Sequence, residues 1–86
     1  MSAAKTKAQG IIDDNAVAVF SKSWCPHCKA TKELLSSLGA KSYIIELDQV
    51  DDGSAIQDAL RELTGQSSVP NIFIDQKHIG GNSDLQ

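Results

Sequence analysis

Cys25 and Cys28 are the only cysteines in the chain, and both lie in Ser23-Trp24-Cys25-Pro26-His27-Cys28. Two thiols separated by two residues suit thiol–disulfide exchange, which needs a nucleophilic thiolate and a second thiol within its reach. Pro26 fits the first position of a helix, where its missing N–H does no harm. Cys25 then falls at the N-cap and Cys28 three residues on, so both sulfurs share one side of the first turn. That spacing allows a bridge with little backbone movement. The unpaired amides and positive dipole end of the helix favour a thiolate on Cys25. Lys22, Lys29 and a protonated His27 add to that field. Cys28, a turn deeper, is expected to keep its proton longer and to act as the resolving thiol.

A thiol whose pKa falls by about 3.5 units gains roughly 30-fold in thiolate at neutral pH. It loses roughly 40-fold in intrinsic nucleophilicity at a Brønsted slope of ~0.45. For attack the two effects nearly cancel. For departure they do not, so the helix start chiefly helps another thiol displace Cys25 from a mixed disulfide. A bridge across two residues closes almost no loop and stabilises little through chain entropy, which marks the pair as chemical rather than structural. C-x-x-C also begins many zinc sites, with His27 and His78 as nominal partners. No second C-x-x-C and no H-x₃₋₅-H follows, so no metal is expected.

The elements that must position these thiols follow from the pattern around them. Ala4, Ala8, Ile11 and Ile12 predict an amphipathic helix over Ala3 to Ile12, broken at Asp13-Asp14-Asn15. Ala16 to Phe20 is apolar on both faces and reads as a buried central strand. The helix that starts at Pro26 runs to about Leu38 and stops at Gly39, with Thr31, Leu35 and Leu38 on the face of Cys28. Tyr43 to Leu47 reads as a second strand. Ser54 and Gln57 form a capping box ahead of a stripe of Ile56, Ala59, Leu60 and Leu63, and Gly65 ends that helix. Asn71 to Ile74 and Lys77 to Ile79 are strands joined at Asp75-Gln76, and Ser83-Asp84 reads as a further helix start. A parallel βαβ half followed by an antiparallel hairpin is the α/β, thioredoxin-like fold, a central four-stranded mixed sheet flanked by helices.

Composition narrows the function. Eighty-six residues, 41% hydrophobic and 22% charged, bound the chain to one small globular domain over residues 1–86. A formal charge of -3 argues against gripping nucleic acid through its phosphates. The longest apolar run, Ala16 to Phe20, is far short of the ~20 residues of a membrane span. The start lacks a secretory apolar segment, so a cytoplasmic protein is expected.

Beyond the motif, the sequence resembles a dithiol glutaredoxin of the kind found in fungi and other eukaryotes. The resemblance rests on Lys22-Ser23-Trp24-Cys25-Pro26-His27-Cys28-Lys29, Glu46-Leu47-Asp48 and Ile56-Gln57-Asp58-Ala59-Leu60. It continues through Thr64-Gly65-Gln66, Val69-Pro70-Asn71 and Gly80-Gly81-Asn82-Ser83-Asp84-Leu85. It implies glutathione-dependent reduction of protein–glutathione mixed disulfides through Cys25 and of protein disulfides through Cys25 and Cys28. Glutathione is then the co-substrate, its partners are glutathionylated or disulfide-containing proteins, and the chain is a monomer. Glutathione carries two carboxylates and one ammonium. The resemblance gives Lys22 and Gln66 to one carboxylate, with His27 beside them, and the backbone at a cis Val69–Pro70 to the cysteine portion. Gly81, Ser83 and Asp84 receive the γ-glutamyl end, with Asp84 on the ammonium. Pro26, His27 and Lys22 tune the thiolate.

Three departures matter. His27 stands where the family usually has Tyr, and a charged imidazole there would make the disulfide more oxidising. Trp24 stands where Tyr is common and is expected to pack beside the cysteines. The resemblance also implies a final helix beyond Gln86, so the C-terminal helix is expected to be truncated. Two alternatives are an iron–sulfur cluster held between two subunits, against which Pro26 argues, and a thioredoxin-like oxidase that does not use glutathione.

Overall fold

Val17–Ser21 forms an interior strand, β1, because every position but the first is buried on one face or the other. The computed structural model describes residues 3–81. Around β1 lie α1 (Ala3–Asp14), α2 (Pro26–Ser37), β2 (Tyr43–Glu46), α3 (Gly53–Thr64), β3 (Asn71–Ile74) and β4 (Lys77–Gly80). The sheet order is β2-β1-β3-β4. β2 runs parallel to β1, while β3 and β4 are antiparallel to their neighbours. The mixed sheet with helices on both faces is the thioredoxin-like arrangement expected from the sequence.

Strand alternation divides the core in two. Ala18 and Phe20 face α1 and α3, where they meet Ala8, Ile12, Ile45, Leu47, Ile56, Leu60 and Phe73. Phe20 and Phe73 pack edge to face, with centroids 5.8 Å apart, and each buried aromatic or aliphatic side chain there contributes about 1.5–3 kcal/mol. Val19 faces the other way, with Leu35 of α2 and Ile72 of β3. Ser21, one residue past Phe20, also turns to the α2 side. This second layer is apolar at one end only, and its polar end lies under the cysteines.

Several boundaries differ from the sequence pattern, each for a local reason. α1 continues through Asp14 because the Asn15 side chain donates to the Ile11 carbonyl at 2.9 Å and closes the last turn. The capping box is absent: α3 starts at Gly53 behind Asp52, with no side-chain cap bond. A Cβ on residue 53 would lie 1.7 Å from the Leu47 carbonyl oxygen, so docking against the end of β2 sets the start. Gln57, freed from capping, donates to the Ser67 carbonyl at 2.6 Å. Leu63 and Leu38 do not join their stripes and are 42% and 69% exposed. β1 is shifted one residue, to Val17–Ser21, β2 ends at Glu46 and β4 extends to Gly80. Gly39 and Gly65 stop α2 and α3 as expected, the latter in the left-handed conformation at φ 82°. Asp75 and Gln76 both have positive φ, as in a type I′ hairpin. The expected helix start at Ser83-Asp84 and the truncated helix lie outside the described residues.

Candidate active site

Cys25 sits at the N-cap of α2 in an extended conformation. Its amide donates to the Lys22 carbonyl at 3.1 Å, which closes the turn into the helix, and its carbonyl accepts from Lys29 at 3.1 Å. Pro26 occupies the next position, where a missing donor leaves no bond unmade. Cys25 is 8% exposed and Cys28 is fully buried, and both thiols are free. The Cys25 Sγ lies 3.9 Å from the Val69 carbonyl oxygen, next to the cis Val69–Pro70 bond.

The surroundings separate the two thiols. Burial pushes Cys25 up, but hydrogen bonds from the Cys28 amide, the Cys28 side chain and the His27 amide outweigh it, helped by the charge of Lys32. The net effect holds Cys25 below the ordinary thiol value. Cys28 is raised, chiefly by burial, and its bond to Cys25 and the charge there add to the rise. Contacts with the Lys22 backbone and the Ser21 side chain act in the opposite direction. One sulfur is thus favoured as the anion and the other as the thiol.

The residues singled out from sequence take different positions around this pair. The Lys22 ammonium lies over the Trp24 ring, 5.7 Å from its centroid. Trp24 is not a packing residue: it is 68% exposed, since the 22–25 turn carries it outward. That turn is fixed from outside by Asp48, which accepts from the Ser23 amide at 2.9 Å and from the Ser23 hydroxyl. These donations, the hydroxyl first, hold the Asp48 carboxyl below its usual range. His27 is exposed and meets Cys25 through its backbone amide. Gln66 donates both hydrogens of its side-chain amide within its own loop, to Ser68 at 3.1 Å and to Pro70 at 3.0 Å. Pro70 is buried and Val69 half-buried, packed against the α1/α3 layer. Gly81 is half-buried at the end of β4, and Ser83 and Asp84 lie outside the described residues.

Sequence reasoning missed three residues of this site. Ser21, Lys32 and Glu46 meet beneath the cysteines: the Ser21 hydroxyl donates to Glu46 Oε1 at 2.7 Å, and Lys32 Nζ donates to the same oxygen at 2.9 Å. The signal is the parallel register that sets Ser21 beside Glu46, together with Lys32 one turn beyond Cys28. The cation whose field lowers Cys25 is therefore Lys32.

Comparison with known proteins places this arrangement. The family model described as Glutaredoxin matches residues 17–79. A glutaredoxin of Ricinus communis is 56% identical over 78 residues, which cover 91% of this chain and 76% of that protein. Glutaredoxin-1 of Rhizophagus irregularis is 48% identical over 85 residues, covering 99% of this chain and 84% of that one. The crystal structure of the buckwheat glutaredoxin–glutathione complex is similar at a TM-score of 0.94 and 50% identity, over 95% of this chain and 74% of the other.

Proposed function

The chain belongs to the glutaredoxin family, and we propose that Cys25 is its attacking thiolate and Cys28 its resolving thiol. It is a glutathione-dependent thiol–disulfide oxidoreductase. On a protein–glutathione mixed disulfide, the Cys25 thiolate attacks the glutathione sulfur, the old S–S bond breaks and the protein sulfur leaves as a thiolate. A second glutathione thiolate then attacks the glutathionylated Cys25, which leaves as a thiolate and releases glutathione disulfide. On a protein disulfide, Cys28 attacks the Cys25 mixed disulfide and expels the second substrate sulfur. Two glutathiones then reduce the Cys25–Cys28 bridge.

The observation that carries this reading is the depressed Cys25 thiol at the start of α2, with the buried and raised Cys28 beside it. A stable thiolate is a good leaving group, which the glutathione step requires. For glutathione itself we assign one carboxylate to Lys22, with His27 beside it, and the cysteine portion to the backbone at Val69. Pro70 and Gln66 hold that segment, the latter through its two donated hydrogens. Gly81, Ser83 and Asp84 are assigned to the γ-glutamyl end. The buckwheat relative's complex with glutathione supports glutathione as the co-substrate. The reading extends to a single-domain monomer acting on glutathionylated proteins in the cytoplasm. No helix among the described residues is long and apolar enough to cross a membrane.

The test is reduction of hydroxyethyl disulfide by glutathione, with Cys25→Ser and Cys28→Ser beside the parent chain. The expected result is loss of turnover with Cys25→Ser and its retention with Cys28→Ser. Turnover that survives Cys25→Ser defeats the assignment.

A further inference from the structure

Lys22 and Trp24 share the turn that leads into α2, and the steps above give Trp24 no task. Its ring is 68% exposed, so it adds little to the core. The Lys22 ammonium sits over that ring, 5.7 Å from the centroid and inside the ~6 Å reach of a cation–π contact. Among the described residues Lys22 makes no ion pair. Asp48 feels the Lys22 charge, but it directs one oxygen at the Ser23 amide and the other at the Ser23 hydroxyl. Ser23 stands between Lys22 and Trp24, so the same clamp fixes the backbone from which both side chains leave.

A lysine ammonium on its flexible four-carbon stem wanders unless something holds it. A carboxylate would hold it but would also neutralise its charge and occupy its hydrogens. An aromatic face holds it differently. The ring attracts the cation through its quadrupole and carries no net charge, so the ammonium stays charged and keeps hydrogens to donate on the side away from the ring. We infer that Trp24 is a positioning residue, whose ring holds the Lys22 ammonium unpaired in the place where the glycyl carboxylate of glutathione arrives. A cation ordered before binding loses less freedom when the carboxylate docks. The inference rests on the assignment of Lys22 to that carboxylate, the other one being assigned to the γ-glutamyl end.

The charge of the ligand separates this role from a simpler one. An exposed indole that touched the substrate directly would help whether or not the glycyl carboxylate is charged. An indole that holds Lys22 helps only when it is. Because Trp24 lies at the surface, replacing it leaves both core layers intact.

The experiment measures kcat/KM for one peptide in mixed disulfide with glutathione, the acid, or with glutathione whose glycyl carboxylate is a primary amide. The parent chain is compared with Trp24→Leu, Trp24→Tyr, Lys22→Met and the Lys22→Met, Trp24→Leu double variant. Leucine keeps an apolar side chain without an aromatic face, and tyrosine keeps the face. Trp24→Leu is expected to lower kcat/KM for the acid about two- to fivefold and to leave the amide unchanged. Trp24→Tyr is expected to recover most of that loss, and Trp24→Leu to cost nothing further once Lys22 is Met. The inference is overturned if Trp24→Leu leaves the acid unchanged, or if it lowers acid and amide alike. It is equally overturned if Trp24→Tyr is as poor as Trp24→Leu, or if Trp24→Leu costs as much without Lys22 as with it. An acid unaffected by Lys22→Met removes the assignment of Lys22 and the inference with it. A loss with Lys22→Met but none with Trp24→Leu overturns the inference alone.

Discussion

On the α1/α3 side of the sheet, Phe20, Ile45, Ile56, Leu60 and Phe73 meet in an apolar layer. On the α2 side, Val19, Leu35 and Ile72 give way to Thr31, Cys28, Ser21 and Glu46. One strand supplies both sides, since Phe20 and Ser21 are neighbours that alternation sends in opposite directions. The difference shows how 86 residues accommodate reactive chemistry next to a core. Apolar burial is concentrated on the α1/α3 side. The other side can then hold two thiols, a hydroxyl and an ion pair, with Cys28, Ser21, Lys32 and Glu46 placed by a strand or a helix and Cys25 at the cap of α2.

The largest effect that sharpens this contrast is loss of the thiolate itself. Cys25→Ser is expected to reduce glutathione-dependent turnover to background, whereas Cys28→Ser abolishes protein-disulfide reduction but leaves deglutathionylation. Assays on one substrate of each kind distinguish the two outcomes. A change in the other layer should do the reverse. Phe20→Ala is expected to cost about 3–5 kcal/mol in chemical denaturation, with the Cys25 titration of the folded protein unmoved. A shift of that titration in Phe20→Ala would show that the layers are not separate.

Smaller effects probe the α2 side in more detail. Deglutathionylation should rise with pH as Cys25 loses its proton and level off below the ordinary thiol range, because Cys25 is held low. Lys32→Met removes a positive charge that favours the thiolate, so the rise should move to higher pH, with a severalfold loss of rate on its acidic side. A pH–rate profile that does not move would take Lys32 out of the account. The smallest expected effect is at His27, whose side chain is exposed while its amide faces the sulfur. His27→Tyr is expected to lower the redox potential, measured against a glutathione buffer. An equal or higher potential in that variant would leave the imidazole without a role in the poise.

Much of this arrangement was legible locally. Pro26 marked the start of α2, Gly39 and Gly65 marked helix ends, and the apolar stretch ending at Phe20 marked the strand beside the cysteines. Those signals act within a few residues and survive into the folded chain. What could not be read depends on contacts between distant segments. The capping box of Ser54 and Gln57 was sound local chemistry, yet the approach of Gly53 to the Leu47 carbonyl starts the helix elsewhere. Trp24 has the size of a core residue, but the turn that Asp48 secures through Ser23 carries it to the surface. Ser21, Lys32 and Glu46 gave no local sign, because only the parallel register of β1 and β2 brings them together under Cys28.

The central claim is that backbone amides at the start of α2, with Cys28 and Lys32, hold the Cys25 thiol below its ordinary range. It is tested most directly by titrating the ultraviolet thiolate absorbance of the fully reduced protein and of its Cys25→Ser variant. The account predicts one equivalent of thiolate forming below the ordinary thiol range in the parent and absent from the variant. Thiolate that forms only in alkaline solution in both proteins would contradict it.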